Sequence, residues 1–156
     1  MPDTNDRRAH TADPPSAEPG RLLALDLGAR RVGVAVSDEL RLSVRPLAAL
    51  PRTNWKKLLR AIKELRERFD ARGVVVGLPL RLDGGEGDAA TEARRVARNL
   101  ELSLGVPVHL QDERLTSRAA EENLRAAGHD PAQVKALVDS AAAALILEDF
   151  LARTNG

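Results

Sequence analysis

Apolar and polar positions alternate on both sides of a turn at 28–31, and this pattern predicts a β-hairpin. If Leu27 faces Val32, one face of the hairpin carries only bulky apolar residues, because side chains alternate between the two faces of a strand. The other face carries small residues and one carboxylate, Asp26. This register places Asp26 opposite Gly33 and leaves open space beside the carboxylate.

Beyond the hairpin, the apolar pattern predicts strands and helices that alternate along the chain. In order, these are an edge strand at 41–50, a helix from Thr53 or Asn54 to Phe69, a strand within 73–80, a helix at 88–104, a strand at 106–110, a short helix at 116–128 and a final helix from Pro131 to about Leu151. The helix at 88–104 is expected to bury Ala89, Ala93, Val96, Ala97 and Leu100. This order predicts an α/β fold with a mixed sheet, helices on both faces, and the two later strands parallel to the first.

Composition fits one folded domain with a short tail. Of the 156 residues, 43% are hydrophobic and 30% charged, which is enough to bury a core. Residues 1–19 are rich in Pro, Asp, Ala and Thr and are predicted to be a disordered tail, which leaves 20–153 as the domain. The absence of cysteine excludes disulfides, thiolate zinc sites and cysteine nucleophiles. Without a membrane-spanning run or an apolar signal core, the chain is expected to be cytoplasmic, with no membrane partner.

Three places in the sequence carry carboxylates in unusual surroundings. Asp26 ends a strand of leucines, although an aspartate there is also a common turn residue. Asp139 lies in a helical segment that is apolar on nearly every side, where a buried aspartate needs a cation or an arginine as its partner. Asp112 and Glu113 end the last strand and point to opposite faces. Spacing alone leaves open which of these two faces inward.

The carboxyl ends of parallel strands meet at one edge of a sheet, so these acids are expected to converge there. Two carboxylates ~4 Å apart repel by about 4 kcal/mol at an effective dielectric of ~20. Mg²⁺ or Mn²⁺ removes that cost, because both ions prefer oxygen ligands. Hard divalent cations held by carboxylates are widely used to hydrolyse phosphodiesters. The pattern therefore predicts a metal-dependent enzyme that acts on nucleic acid.

Four segments of the chain resemble, in order and spacing, the YqgF family, also called RuvX: LALDLGARRVGVAVSD, VVVGLPLRLDGGEGDAA, VHLQDERLTS and VDSAAAALIL. Members of this family are described as Holliday junction resolvases or as nucleases of precursor 16S rRNA. The likeness covers about residues 21–152. It implies a ribonuclease H-like fold with a five-stranded mixed sheet. It also implies a cytoplasmic role in processing the 5′ end of precursor 16S rRNA, with RNA favoured as the substrate and DNA possible.

The resemblance also implies which residues form the site. Its three acids match Asp26, Glu113 and Asp139, which are expected to be both the catalytic residues and the metal ligands. The resemblance thus favours Glu113 over Asp112, the choice that strand alternation left open.

Nucleic-acid contacts are expected from two regions. The resemblance implies that basic residues of the hairpin turn, Arg30 and Arg31, and Arg114 after the acid, lie near the substrate phosphates. The glycine-rich loop is the other candidate, since the amides of Gly84 and Gly85 beside a helix start can contact a phosphate backbone. A plain surface connection explains this loop equally well.

Three alternatives remain open at the level of sequence. RuvC-type resolvases carry a second aspartate three residues after the last-helix acid, where this chain has Ala142, and a resolvase that cuts two strands would need a two-fold dimer. The chain is therefore expected to be a monomer or a homodimer. The hairpin also resembles the phosphate hairpin of actin-like ATP-binding phosphotransferases, although the chain is too short for their two domains. A non-catalytic RNA-associated or ribosome-associated module is the third alternative.

Overall fold

The structure is a computed structural model that describes residues 20–113, 128 and 131–155, with the side chains of the last helix described from Ser140 to Thr154. The predicted tail at 1–19 lies outside the described residues. So does the predicted helix at 116–128, apart from Gly128 at its end.

Five strands and three helices make up the described fold. They are β1 (Leu22–Leu27), β2 (Arg31–Ser37), β3 (Val44–Pro51), α1 (Trp55–Phe69), β4 (Gly73–Leu78), α2 (Asp88–Leu104), β5 (Val108–Asp112) and α3 (Pro131–Asn155). The strands form one sheet in the order β3-β2-β1-β4-β5. The first three strands pair antiparallel, whereas β4 is parallel to both β1 and β5. The predicted mixed sheet is therefore confirmed.

The hairpin forms in the predicted register. Leu27 pairs with Val32, and Asp26 pairs with Gly33. The turn between the strands is closed by the Gly28 amide, which donates to the Arg31 carbonyl oxygen at 2.9 Å. A Cβ on residue 28 would lie only 2.6 Å from that oxygen, so this tight turn requires glycine.

The two faces of the sheet are covered by different helices. The bulky face of the hairpin is buried with α1 and α2 in one apolar cluster, together with alternate residues of β4. The opposite face, called here the α3 face, is buried beneath α3. Its apolar cluster contains Leu22, Ala24, Ala35 and Val75 from the sheet and Ala143, Ile146, Leu147, Phe150 and Leu151 from the helix. Asp26 follows Ala24 by two residues and therefore lies on the α3 face.

The edge strand β3 begins at Val44, later than the expected residue 41. The Asp38 carboxylate accepts hydrogen bonds from the amides of Leu42 at 2.7 Å and Ser43 at 2.9 Å. These contacts close a turn and delay the start of the strand.

Three other predicted details also differ. The strand β5 spans 108–112 instead of 106–110, because Pro107 has no amide to donate to the ladder. Helix α2 has the predicted bounds, but it buries Ala90 in place of Ala89. Helix α3 continues four residues past Leu151, to Asn155.

Candidate metal-binding active site

Two of the three predicted acids meet on the α3 face. Asp26 lies near the carboxyl end of β1, and Glu113 directly follows β5. The Glu113 amide donates to the Leu78 carbonyl oxygen at 3.2 Å, which extends the alignment of β5 with β4 by one residue. A side-chain hydrogen bond joins Glu113 to Asp26 across the strand that separates them. Both carboxyl groups are half-buried.

The pair carries a proton that a lone surface glutamate would not hold. Burial raises the pKa of Glu113 from its ordinary value of 4.5 to about 9, and the charge and hydrogen bond of Asp26 add to the effect, followed by the charge of Asp112. A hydrogen bond between two carboxyl groups requires one of them to be protonated. At neutral pH and without a cation, the pair therefore shares one proton.

The path of the Glu113 side chain crosses β4 at a glycine. Glu113 Oε2 lies 2.8 Å from the point that a Cβ on Gly77 would occupy, and Cδ lies 2.9 Å from it. No pattern in the sequence pointed to Gly77, because this contact depends on how β5 sits beside β4.

The third acid belongs to the helix that covers the same face. The pairing of β2 with β3 shifts between Val32 and Val34, and at this irregularity the Ser140 hydroxyl accepts a hydrogen bond from the Val34 amide at 3.3 Å. This contact fixes α3 over β2, one residue from Gly33, the partner of Asp26. Asp139 directly precedes Ser140 in α3, and its side chain lies outside the described residues.

The residues present fit a hard divalent cation. Within 20–113 and the described part of α3, no group of three or more acidic or histidine side chains that could hold a metal is found. Asp26 and Glu113 nevertheless supply oxygen donors, which Mg²⁺ and Mn²⁺ prefer. They share a proton that a cation can replace, and Asp139 belongs to α3, the helix that covers the same face of the sheet.

Two of the three arginines predicted to bind nucleic acid lie in the turn that follows β1, at the end of the sheet that carries the acids. Arg30 and Arg31 are exposed at the hairpin turn. The turn is braced by Arg52, which donates to the Gly28 carbonyl oxygen at 2.9 Å and pairs with Glu92 at 2.8 Å. Arg114 lies outside the described residues.

In the glycine-rich loop, the amides of Gly84 and Gly85 donate hydrogen bonds to acceptors within the loop itself. The Gly84 amide donates to the Arg81 carbonyl oxygen, and the Gly85 amide donates to the Asp83 carboxylate, both at 2.8 Å. A phosphate bound at this loop would therefore have to contact groups other than these two amides. Among the described residues, the cation nearest to Gly85 is Arg81, which the sequence did not single out; its guanidinium lies 2.9 Å from the Cβ position of Gly85.

His109 and Gln111 share the face of β5 that carries Glu113, because side chains alternate along a strand, and both contact α3. The His109 ring lies 5.0 Å from that of Phe150, and burial lowers the pKa of this imidazole. Gln111 is buried, and its side-chain oxygen accepts two hydrogen bonds from the Arg153 guanidinium, at 2.6 and 2.9 Å. These contacts secure the end of β5 directly before Glu113.

Among the described residues, no helix has the length and apolar character needed to span a membrane.

A solved structure shares the fold. The RuvC of T. thermophilus, in complex with a Holliday junction substrate, matches with a TM-score of 0.52 and 18% sequence identity, over 86% of this chain and 95% of that chain. This likeness confirms the predicted ribonuclease H-like fold class.

Sequence comparisons identify the family. A profile of RuvX, described as Holliday junction resolvase, matches residues 20–153. A relative from Syntrophus aciditrophicus named "Putative pre-16S rRNA nuclease" is 43% identical over 131 residues, which are 84% of this chain and 87% of that protein. A relative of the same name from Anaeromyxobacter sp. (strain K) is 44% identical over 133 residues, 85% of this chain and 97% of that protein. The predicted enzyme class, a nuclease acting on phosphodiester bonds, is confirmed, and the chain belongs to the RuvX family.

Proposed function

We propose that residues 20–153 form a nuclease domain that requires Mg²⁺ or Mn²⁺ and trims the 5′ end of precursor 16S rRNA. The observation that carries this proposal is the hydrogen-bonded Asp26–Glu113 pair at the carboxyl edge of a ribonuclease H-like sheet. The names of the sequence relatives support RNA as the substrate. Such a substrate would place the protein in the cytoplasm.

Asp26, Glu113 and Asp139 would hold the metal in this proposal. When bound, divalent cations stabilise the charge that develops on the phosphodiester as water attacks and the leaving oxygen departs. Asp26 and Glu113 would orient the ion, because β1 holds Asp26 and the hydrogen bond from the Glu113 amide to the Leu78 carbonyl oxygen aligns Glu113 with β4. Arg30 and Arg31 extend from the neighbouring turn and would bind phosphates on either side of the scissile bond.

Cleavage of a DNA junction is the second candidate, supported by the description of the family. The residue at the position of the additional RuvC aspartate argues against it, since Ala142 is only 1% exposed and has no ligand atom. A monomer would be enough for trimming RNA, whereas resolution of a junction would need a homodimer.

The test compares Asp26→Asn with Asp38→Asn, a matched control at the other end of the hairpin. Labelled precursor 16S rRNA, single-stranded DNA and a four-way junction are each incubated with the wild type and both variants in Mn²⁺. We expect RNA cleavage to fall more than about a hundredfold in Asp26→Asn, beyond the loss typical of residues that merely support a ligand. Asp38→Asn should cleave normally, because Asp38 bonds only turn amides among the described residues.

Normal cleavage by Asp26→Asn would contradict the assignment of the site. Cleavage of the junction alone would favour the resolvase. Absence of cleavage by the wild type on all three substrates would favour the non-catalytic module.

A further inference from the structure

Gly77 occupies the position on β4 between the two acids. Residues 73, 75 and 77 of this strand face α3, because Val75 belongs to the apolar cluster beneath that helix and side chains alternate along a strand. The parallel register pairs Leu25 of β1 with Val76. One residue further along, Asp26 lies beside Gly77. On the other side of β4, Gln111 pairs with Gly77, two residues before Glu113.

The two acids therefore stand on strands that do not touch. Neighbouring strands lie about 4.8 Å apart, so β1 and β5 are separated by roughly twice that distance across β4. The side chain of Glu113 must extend over β4 to hydrogen-bond with Asp26, and it does so at the one residue of that strand level with Asp26.

The space above Gly77 is already filled by atoms that a side chain would displace. A Cβ there would lie 2.8 Å from Glu113 Oε2 and 2.7 Å from Cδ1 of Ile146 in α3. Cβ atoms are essentially never found this close to other heavy atoms, so both of these side chains would have to shift. Ile146 is fully buried between α3 and the sheet, so it has little room to yield.

We infer that Gly77 is a positioning residue for the metal site: its missing side chain is the gap through which Glu113 reaches Asp26. This inference rests on the proposed function, in which the acid pair holds a metal ion. It assigns to the "VVVGLP" segment a role beyond that of a buried strand. Any side chain at residue 77 would push the Glu113 carboxylate away from Asp26 while leaving all three acids in the chain.

The same strand offers a matched control. Gly73 faces α3 four residues earlier, and a Cβ there would also be crowded, at 2.9 Å from Cδ2 of Leu22 and 3.3 Å from the Pro107 carbonyl oxygen. Neither contact involves an acid. Gly73→Ala therefore reproduces the crowding of a strand glycine without touching Glu113.

A second variant separates positioning from packing. Ile146→Val removes Cδ1, the apolar atom that a Cβ on residue 77 would strike. The double variant Gly77→Ala/Ile146→Val should recover most of the thermal stability that Gly77→Ala loses. The clash with Glu113 remains in the double variant, so its metal site should stay impaired.

The experiment measures Mn²⁺ binding by calorimetry, thermal unfolding without metal, and RNA cleavage for the wild type and these variants. We expect Gly77→Ala/Ile146→Val to bind Mn²⁺ about tenfold to a hundredfold more weakly than the wild type, with cleavage reduced in parallel. Ile146→Val and Gly73→Ala should bind Mn²⁺ as the wild type does, whatever stability they lose.

Wild-type Mn²⁺ affinity in the folded double variant would overturn the role of Gly77. Weakened binding in Gly73→Ala equal to that in the double variant would also overturn it, since crowding anywhere on β4 would then be the cause. A wild type that neither binds Mn²⁺ nor cleaves RNA would instead refute the proposed function.

Discussion

At the scale of single residues, the Asp26–Glu113 pair links the stability of the metal-free protein to pH. The pKa of Glu113 is raised in the folded protein to about 9 from 4.5, so folded chains keep a proton that unfolded chains lose between these values. The stabilising contribution of this group is complete below pH 4.5 and is lost as the pH rises towards 9. Through this group, the free energy of unfolding falls by at most about 1.4 kcal/mol per pH unit.

The variant Glu113→Gln should remove this dependence, because glutamine keeps the shape of the protonated acid and does not titrate. Chemical denaturation in EDTA between pH 5 and 9 should show the wild type losing stability relative to Glu113→Gln as the pH rises. Saturating Mn²⁺ should reverse the trend for the wild type, because the cation takes the place of the proton. Parallel stability curves for the two proteins in EDTA would contradict the shared proton.

The sequence led to the acids but not to the residues that align them. Asp26 could be predicted to meet an acid at 112–113, because both places end strands that are parallel through β4. The family resemblance, and not the strand pattern, favoured Glu113 over Asp112. Gly77 and Ser140 could not be predicted, since each acts through a contact between distant parts of the chain. Ser140 and Val34, for example, are 106 positions apart. An isolated glycine in an apolar strand gives no sign of which side chain passes over it.

At the scale of elements, α3 is held to the sheet by a hydroxyl at the residue next to Asp139. Ser140→Ala would leave the buried Val34 amide without its acceptor, at a cost of about 1–3 kcal/mol. It would also release α3 at the residue next to Asp139, the proposed third metal ligand. We expect a lower free energy of unfolding and weaker Mn²⁺ binding, measured by denaturation and calorimetry.

Ser37→Ala is the matched control for this prediction. The Ser37 hydroxyl likewise accepts from a buried strand amide, that of Leu22 at 2.9 Å, but at the opposite end of the hairpin. The Ser37→Ala variant should lose as much stability as Ser140→Ala and keep its affinity for Mn²⁺. Equal losses of affinity in the two variants would show that α3 does not need this anchor to present the site.

The sequence predicted which segments form helices and strands better than it predicted which residues of a helix are buried. Counting back from Ala93 along the buried stripe of α2, a step of four residues leads to Ala89 and a step of three leads to Ala90. Both steps fit a period of 3.6 residues, and packing against β4 and β5 decides for Ala90. The hairpin was easier, because the tight turn at Gly28 permits only one register that keeps the bulky residues together.

At the scale of the whole molecule, the net charge of +1 does not indicate where nucleic acid would bind, so binding has to be tested locally. Arg30 and Arg31 are exposed at the end of the sheet that carries the acids. Arg72 lies at the opposite end, directly before β4. The double variant Arg30→Ala/Arg31→Ala should bind single-stranded RNA more weakly. Its slope of log affinity against log salt should fall by about 0.7 for each phosphate that the variant no longer neutralises.

Fluorescence anisotropy with labelled RNA in the Asp26→Asn background measures binding without cleavage. Arg72→Ala removes a charge of the same kind from the far edge and should leave both the affinity and the salt slope unchanged. Identical slopes for all three proteins would place the RNA elsewhere on the surface.

The proton between Asp26 and Glu113 also bears on the life of the chain before any ion arrives. If both carboxyl groups had to be ionised when they come together beneath α3, the newly made chain would depend on a cation in order to fold. Under the proposed function, the shared proton would let the chain fold before a cation binds, and the protein would stay inactive until then. Binding of the ion would then require no refolding, so a shortage of metal would leave folded protein instead of misfolded protein.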